Sequence, residues 1–186
     1  MKENDFRIEP FMLQHFCIKD KNPIEIIQQK YNISNLSSAK TVNEIDMDFI
    51  FSENDESKNF ILLTDLNNWS YLIWKYWDFE FNIDFAKELS EGLKSIVNYY
   101  FVDSYIATVR WIFAENGKIT RAYFESHEEK LFDIGINEIE NNLKATTEGN
   151  FVESIFWELY EKTCNTLEYV NKQKRKEFTI YTGTIV

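Results

Sequence analysis

The chain has 186 residues, with 31 Asp and Glu against 20 Lys and Arg, so its formal net charge is -11. That length fits a single domain, residues 1–186, and a composition of 44% hydrophobic and 27% charged residues is ordinary for a globular protein. The acidic excess disfavours nucleic acid or an anionic membrane as partner and favours a basic protein. Because the chain contains only 2 His, 2 Cys and 5 Gly, it has little material for metal chemistry or phosphate-binding loops.

The sequence predicts a cytoplasmic location. Residues 1–5 are charged and lack the apolar run of a signal peptide, and no uninterrupted apolar stretch approaches about 18 residues. Cys17 and Cys164 lie far apart and outside any Cys-x-x-Cys pair. We therefore expect buried, reduced thiols rather than a disulfide.

Patterns in the first hundred residues predict an antiparallel meander with two helices. Residues 11–18 are apolar enough for a strand, and Asn22-Pro23 is typical of a helix start, with Asn as the cap. The Asn- and Ser-rich residues 32–40 are predicted to form a loop. Further strands are predicted at residues 45–51, 60–64, 69–77 and 99–103, and Asp84 is predicted to cap a helix through about residue 96.

The clearest local signal is Asn116-Gly117, a pair that favours a type I′ turn, between strands 105–114 and 118–125. The two-residue turn and the apolar pattern of the strands agree on a single register for the hairpin. It pairs Phe113 with Thr120, Trp111 with Ala122 and Val109 with Phe124 on an apolar face, and Ile112 with Arg121 and Arg110 with Tyr123 on a mixed one.

The last fifty residues predict a short helix at 136–144, a long helix from Asn150 to about Val170, and a final strand at 178–181. The whole chain is therefore predicted to be of the α+β class, as a single domain in which helices pack against a mostly antiparallel sheet.

A search for catalytic patterns predicts no enzyme, no metal site and no cofactor. His15 and His127 are isolated, and no Gly-x-Ser-x-Gly elbow is present. The acids of Asp78-x-Glu80 suit paired-carboxylate chemistry, but they alternate with phenylalanines. The solvated outer face of a half-buried strand explains them more simply.

The chain contains 16 Phe, 10 Tyr and 5 Trp, and residues 69–77 are the unusual segment, because their aromatic side chains alternate onto both sides of the predicted strand. Such a strand is either buried on both faces or exposes an aromatic side, and exposed Trp and Tyr are enriched at binding hot spots. Acidic residues flank it and are suited to steering a basic partner. The candidate partner-binding residues are Glu53, Asp55, Glu56, Trp74, Tyr76, Trp77, Asp78, Glu80 and Asp84.

Three segments carry a resemblance to a known family. They are Asn68-Trp69-Ser70-Tyr71-Leu72-Ile73, Ala86-Lys87-Glu88-Leu89-Ser90, and the run from Trp111-Ile112-Phe113 through Asn116-Gly117-Lys118 to Arg121. Over about residues 60–125 the chain resembles small bacterial immunity proteins, in which a Trp-led strand precedes a helix with Leu-Ser and a hairpin with Asn/Asp-Gly. The resemblance implies a cytoplasmic protein that neutralises a toxin by binding it.

Three functional hypotheses follow. The first is an immunity-type protein that binds a cognate toxin domain, expected to be basic, without catalysis. The second is an acidic nucleic-acid mimic that inhibits a nuclease, which requires carboxylates spaced like phosphates over one extended surface. The third is a carboxylate-based hydrolase, which requires a deep pocket lined by Asp or Glu with perturbed pKa values.

Overall fold

The computed structural model describes residues 14–39, 58–66, 68–74, 76–103, 105–127, 129–146, 152–164 and 179–186. These residues contain nine strands and four helices. The strands are β1 (Gln14–Ile18), β2 (Ile33–Ala39), β3 (Lys58–Leu66), β4 (Trp69–Trp74), β5 (Ile96–Asp103), β6 (Thr108–Glu115), β7 (Lys118–Ser126), β8 (Glu129–Gly135) and β9 (Ile180–Ile185). The helices are α1 (Ile24–Lys30), α2 (Phe79–Leu93), α3 (Glu138–Thr146) and α4 (Val152–Thr163).

The strands of the described residues form one sheet in the order β2-β9-β3-β4-β1-β5-β6-β7-β8, and every neighbouring pair is antiparallel. The prediction of an α+β protein with a mostly antiparallel sheet is confirmed. The first strand lies at the centre, between β4 and β5, and the last strand lies between β2 and β3. Strands from both ends of the chain are thus needed to complete the sheet.

Two hydrophobic clusters lie on opposite sides of the sheet, because side chains alternate between faces along each strand. One cluster joins strand residues to α1 and α2, and its side of the sheet is called the α2 face here; its members include Phe16, Ile27, Leu72, Phe85, Leu89 and Phe101. The other joins strand residues to α3 and α4, and its side is called the α4 face; its members include Cys17, Tyr71, Tyr100, Trp111, Leu143, Phe156 and Leu159.

Helix α2 begins earlier than its sequence pattern suggests. Asp78 is the N-cap, and its carboxylate accepts a hydrogen bond from the Phe81 backbone N–H at 3.0 Å. The predictions of a cap at Asp84 and of a half-buried strand carrying Asp78 and Glu80 are therefore wrong. The alternation of acids and phenylalanines over a few residues suggests a strand. Over the whole segment, however, the buried residues recur every three to four positions, as in a helix: Phe79, Asn82, Phe85, Ala86, Leu89 and Ser90.

The β6–β7 hairpin has the predicted turn but not the predicted register. Asn116 and Gly117 have φ angles of 49° and 79°, the left-handed values that a type I′ turn requires. A bulge between Phe113 and Ala114 then leaves Thr120 unpaired. Beyond the bulge every predicted pairing is displaced by one residue: Phe113 lies opposite Arg121, Ile112 opposite Ala122, Trp111 opposite Tyr123, Arg110 opposite Phe124 and Val109 opposite Glu125.

The displaced register decides where two side chains of the hairpin lie. Arg121 is placed on the α4 face and Phe124 on the α2 face. Most residues of both predicted hairpin faces are buried, because a hydrophobic cluster lies on each side of the sheet, but Thr120 at the bulge is exposed.

The other predicted elements have mixed outcomes. Pro23, rather than Asn22, is the cap residue of α1, and β5 and β9 are longer than predicted. Residues 32–40, predicted as a loop, contain β2, which is held by pairing with β9 from the other end of the chain. The predicted strand at 45–51 and residues 165–170 of the predicted long helix lie outside the described residues.

Cys17 and Cys164 form a disulfide, with their Cα atoms 6.2 Å apart. The expectation of two reduced thiols is therefore wrong. Cys17 lies in the central strand and Cys164 directly follows α4, so the fold brings together residues that are 147 positions apart. Sequence spacing carries no information about such a contact. The cytoplasmic location stays a prediction, and the disulfide removes the thiol argument for it.

Across the described stretches, no helix combines the length and the apolar character needed to cross a membrane.

Candidate partner-binding surface

Trp74 is not available to a partner. Its side chain is fully buried on the α2 face, packed against Phe16 and Phe85 at ring-centroid distances of 5.2 and 4.6 Å. Strand β4 lies between β3 and β1, and its burial continues from Ser70 to Trp74. Of the two interpretations of this aromatic segment, burial on both faces is therefore right for the strand itself, and Trp74 is wrong as a contact residue.

Tyr76 and Trp77 lie in the connection from β4 to α2, where the chain has left the sheet. Tyr76 is half-buried against Phe81, with ring centroids 5.1 Å apart. The Trp77 side chain is 37% exposed, and its ring meets the buried Phe101 edge-on at 5.1 Å. The exposed indole thus rests on a rigid core residue.

The three described acidic candidates, Asp78, Glu80 and Asp84, are exposed and belong to the first turns of α2. Asp78 caps the helix, and Glu80 and Asp84 are four residues apart, so they lie on one side of it. The paired-carboxylate strand face predicted for Asp78 and Glu80 does not exist. We call Tyr76, Trp77, Asp78, Glu80 and Asp84 the Trp77 surface.

The remaining candidates, Glu53, Asp55 and Glu56, lie outside the described residues. Lys58, in the described part of β3, places its Nζ 4.1 Å from the Phe81 ring centroid and 5.1 Å from that of Tyr76. The start of β3 therefore lies beside the Trp77 surface.

The acidic side of α2 continues past Asp84 to Glu88. The Tyr31 hydroxyl donates a hydrogen bond to Glu88 Oε2 at 2.8 Å. Burial, followed by the hydrogen bond and the negative charge of Glu88, raises the pKa of Tyr31 far above its ordinary value. The phenol therefore stays protonated and fastens the end of α1 to α2, which stiffens the helix that carries the carboxylates.

Arg110 is buried beneath Trp77 and holds its backbone. The sequence patterns did not single out Arg110 as a functional residue. It lies in β6 on the α2 face, is 8% exposed, and its Nη1 donates a hydrogen bond to the Trp77 carbonyl oxygen at 3.0 Å. Its position could have indicated burial, because Arg110 lies on the same strand face as Ile112 and Ala114, which belong to the buried cluster. Four aromatic rings surround its guanidinium, with distances from Cζ to the ring centroid of 4.1 Å for Phe124, 5.3 Å for Phe101, 5.6 Å for Trp77 and 5.9 Å for Phe79.

A buried polar group fixes the β4–α2 connection to the sheet. The Tyr99 hydroxyl donates to Gln14 Oε1 at 3.1 Å, and Asn82 Nδ2 donates to the Tyr76 carbonyl oxygen at 3.2 Å. Asn82 Nδ2 also lies 3.4 Å from Gln14 Oε1. Asn82 of α2, which also reaches Gln14 of β1, therefore holds the Tyr76 end of this short connection.

The two histidines lie apart from this surface. His15 is 3% exposed on the α4 face, stacked between Tyr71 and Tyr100. His127 is exposed, and its Nδ1 lies 3.0 Å from Ser126 Oγ. Cys17, which shares a strand face with His15, is held in the disulfide. In the part of the chain that is described, no group of three His, Cys, Asp or Glu side chains is placed to hold a metal ion.

Comparison with known proteins gave no match to a family model and no significant match to a curated protein or a solved structure.

Proposed function

We propose that this chain is an immunity-type binding protein, which neutralises a basic toxin domain by direct contact through the Trp77 surface. It acts by binding and not by catalysis. The observation that carries the proposal is an exposed tryptophan, held rigidly from below, beside a row of exposed carboxylates on one side of α2.

The rigidity of Trp77 favours its use as a binding anchor. Its carbonyl is fixed by Arg110 and its ring rests on Phe101, so little conformational freedom is left to lose on binding. Tryptophan is among the residues most enriched at interface hot spots. A partner that covers the exposed part of this ring gains apolar burial at a small entropic cost.

The carboxylates supply the charge complementarity. Asp78, Glu80 and Asp84 are exposed next to Trp77, and the whole chain has a net charge of -11. An acidic field of this kind accelerates association with a basic partner and discriminates against acidic ones. The resemblance of residues 60–125 to immunity proteins supports the same conclusion, since β4, α2 and the β6–β7 hairpin carry its three segments.

The test is binding to the toxin encoded beside this gene, the usual arrangement for immunity proteins. We expect a complex between the purified chain and that toxin domain, and loss of toxicity on co-expression. Trp77→Ala is expected to weaken binding by about 2 kcal/mol, or roughly 30-fold. Absence of both binding and protection would count against the immunity role itself.

A charge-matched pair of variants tests the surface separately from the role. Glu80→Lys with Asp84→Lys reverses two charges on the Trp77 surface, and Glu158→Lys with Glu161→Lys reverses two exposed charges on α4. The first pair is expected to slow association strongly at low salt, and the second pair only slightly. Equal effects of the two pairs would mean that only net charge matters and that this surface is not the contact.

A further inference from the structure

Arg110 is a buried cation without a counter-ion in the part of the chain that is described. Its side chain is 8% exposed, yet among the described residues no Asp or Glu oxygen forms an ion pair with it. Buried charges are normally paired, because removing them from water is costly. Carboxylates are plentiful in this chain, which has 31 Asp and Glu, but none among the described residues pairs with Arg110.

The groups around the guanidinium do not neutralise it. The four rings offer electron-rich faces, which attract a cation but carry no net charge. The Tyr99 hydroxyl is within hydrogen-bonding reach of Arg110. Burial raises the pKa of Tyr99 well above its ordinary value, so Tyr99 stays a neutral phenol and brings no negative charge. The site therefore keeps a full positive charge.

Hydrogen-bonding capacity is left over on one edge of the guanidinium. Arg110 Nη1 is used by the Trp77 carbonyl, whereas its buried Nε has no hydrogen-bond partner among the described residues. The same holds for the Nε2 of Gln14, which belongs to the polar group next to Arg110. Two buried donors, Arg110 Nε and Gln14 Nε2, thus lack acceptors within the described stretches.

We propose that Arg110 is the anchor of a binding site for a single carboxylate group, which accepts hydrogen bonds from the Nε edge of the guanidinium beneath Trp77. Trp77 is the most exposed of the four rings, so the carboxylate approaches the guanidinium past the solvent-facing edge of its indole. The proposal does not rest on the toxin partner, since its test uses none.

The surroundings select a carboxylate over other anions. A guanidinium edge matches the two oxygens of a planar carboxylate. The close approach of the Phe124 ring, 4.1 Å from Cζ, favours a flat group over a tetrahedral phosphate. A singly charged group is also repelled least by the exposed Asp78 and Glu80. The carboxylate belongs either to a small free acid or to an acidic side chain of a protein partner.

The experiment follows the Nε–Hε resonance of Arg110 in ¹⁵N NMR spectra of the intact chain, assigned through its side-chain correlations in the isotope-labelled, unmodified protein. Sodium acetate is titrated at constant ionic strength against sodium chloride, and a capped peptide with one aspartate is titrated in parallel. We expect a saturable shift of the Arg110 signal, and at least tenfold weaker binding in Arg110→Lys, measured by Trp fluorescence. Saturation by acetate assigns a small acid, and saturation by the peptide alone assigns a protein partner.

Arg121 provides the control within the same molecule. Its Nε, Nη1 and Nη2 all donate hydrogen bonds to carboxylate or carbonyl oxygens, so its resonance is expected not to move. The proposal is overturned if both arginine signals respond alike, or if neither acetate nor the peptide gives a saturable shift. Because this comparison is made in the unmodified chain, it decides the matter even if Arg110→Lys fails to fold.

Discussion

The two faces of the sheet are held together by different means. On the α4 face, the Cys17–Cys164 disulfide fixes the end of α4 to the central strand, and a buried ion pair fixes α3 to β7. On the α2 face, aromatic side chains do most of the packing, and buried polar atoms of Gln14, Asn82 and Arg110 lack hydrogen-bond partners among the described residues. The first face is thus held by a covalent bond and a charged pair, whereas on the second the buried Arg110 has hydrogen-bonding capacity left for a ligand.

Two arginines make this comparison concrete. Arg121 is 3% exposed, and its Nε and Nη2 donate to the two carboxylate oxygens of the buried Glu140 at 2.6 and 2.7 Å. The Trp111 indole donates to the same carboxylate at 3.2 Å, and Asp133 accepts from Arg121 Nη1 at 2.5 Å. Arg110, nearly as buried, has aromatic faces instead of carboxylates. An arginine whose donors are all hydrogen-bonded within the protein has a structural role. One with an unused donor can still bind a ligand.

Reduction of the disulfide is expected to cause the largest loss of stability, because it releases the end of α4 from the central strand. Cross-linking positions 147 residues apart stabilises the fold by about 5 kcal/mol in the chain-entropy model. Urea unfolding with and without dithiothreitol measures the loss. The Cys17→Ala/Cys164→Ala double variant should be insensitive to the reductant, and two titratable thiols in the unfolded, untreated protein would contradict the disulfide.

Glu140→Gln is expected to destabilise the protein by about 3–5 kcal/mol, because it leaves the buried Arg121 without its bidentate partner. Urea denaturation measures the change. Glu138→Gln, an exposed carboxylate in the first turn of the same helix, is the matched control and should change stability by less than about 0.5 kcal/mol. Similar losses for the two variants would show that the ion pair contributes little.

Arg110→Met is expected to lower stability by no more than about 1 kcal/mol. The variant loses the cation–π contacts but also removes an unpaired buried charge, and these two effects largely offset each other. Arg121→Met, which removes the cation that pairs with the buried Glu140 carboxylate, should cost about 3–5 kcal/mol in the same assay. A larger loss for Arg110 than for Arg121 would reverse the proposed difference between the faces.

Asp133→Asn is expected to have the smallest effect, with a defined pH dependence. A hydrogen bond from Lys130, together with Arg121, holds the pKa of Asp133 below its ordinary value. Its contribution is therefore present above the unfolded pKa of about 3.9 and is lost as the pH falls through the lower folded value. Asp133 is 37% exposed, so the contribution is screened and stays below about 1 kcal/mol. Thermal unfolding at several pH values should show the two proteins converging in acid.

Parts of the fold were predictable because their causes are local. Asn116-Gly117 fixes a type I′ turn through its own backbone preferences, and Pro23 starts α1 by its fixed φ angle. The apolar residues of β3 were correctly predicted as a strand. The exposed carboxylates Glu80 and Asp84 were named correctly as surface groups, although on a helix and not beside a strand.

Other parts could not be predicted, because their causes lie elsewhere in the chain. β2 is a strand only because β9 pairs with it. Trp74 is buried because α2 returns over β4 after a short connection. The bulge at Thr120 shifts the hairpin by one residue, and a shift of one residue moves every following side chain to the other face.

The sequence by itself determined an acidic α+β protein with a tight hairpin and an aromatic strand next to exposed acids, since composition, periodicity and turn residues act over a few positions. Only the tertiary structure decided that this strand is buried on both sides, that Cys17 meets Cys164, and that Arg121 has carboxylate partners where Arg110 has rings. These outcomes depend on contacts between residues far apart in the chain. Alternation along one strand cannot specify what covers its faces.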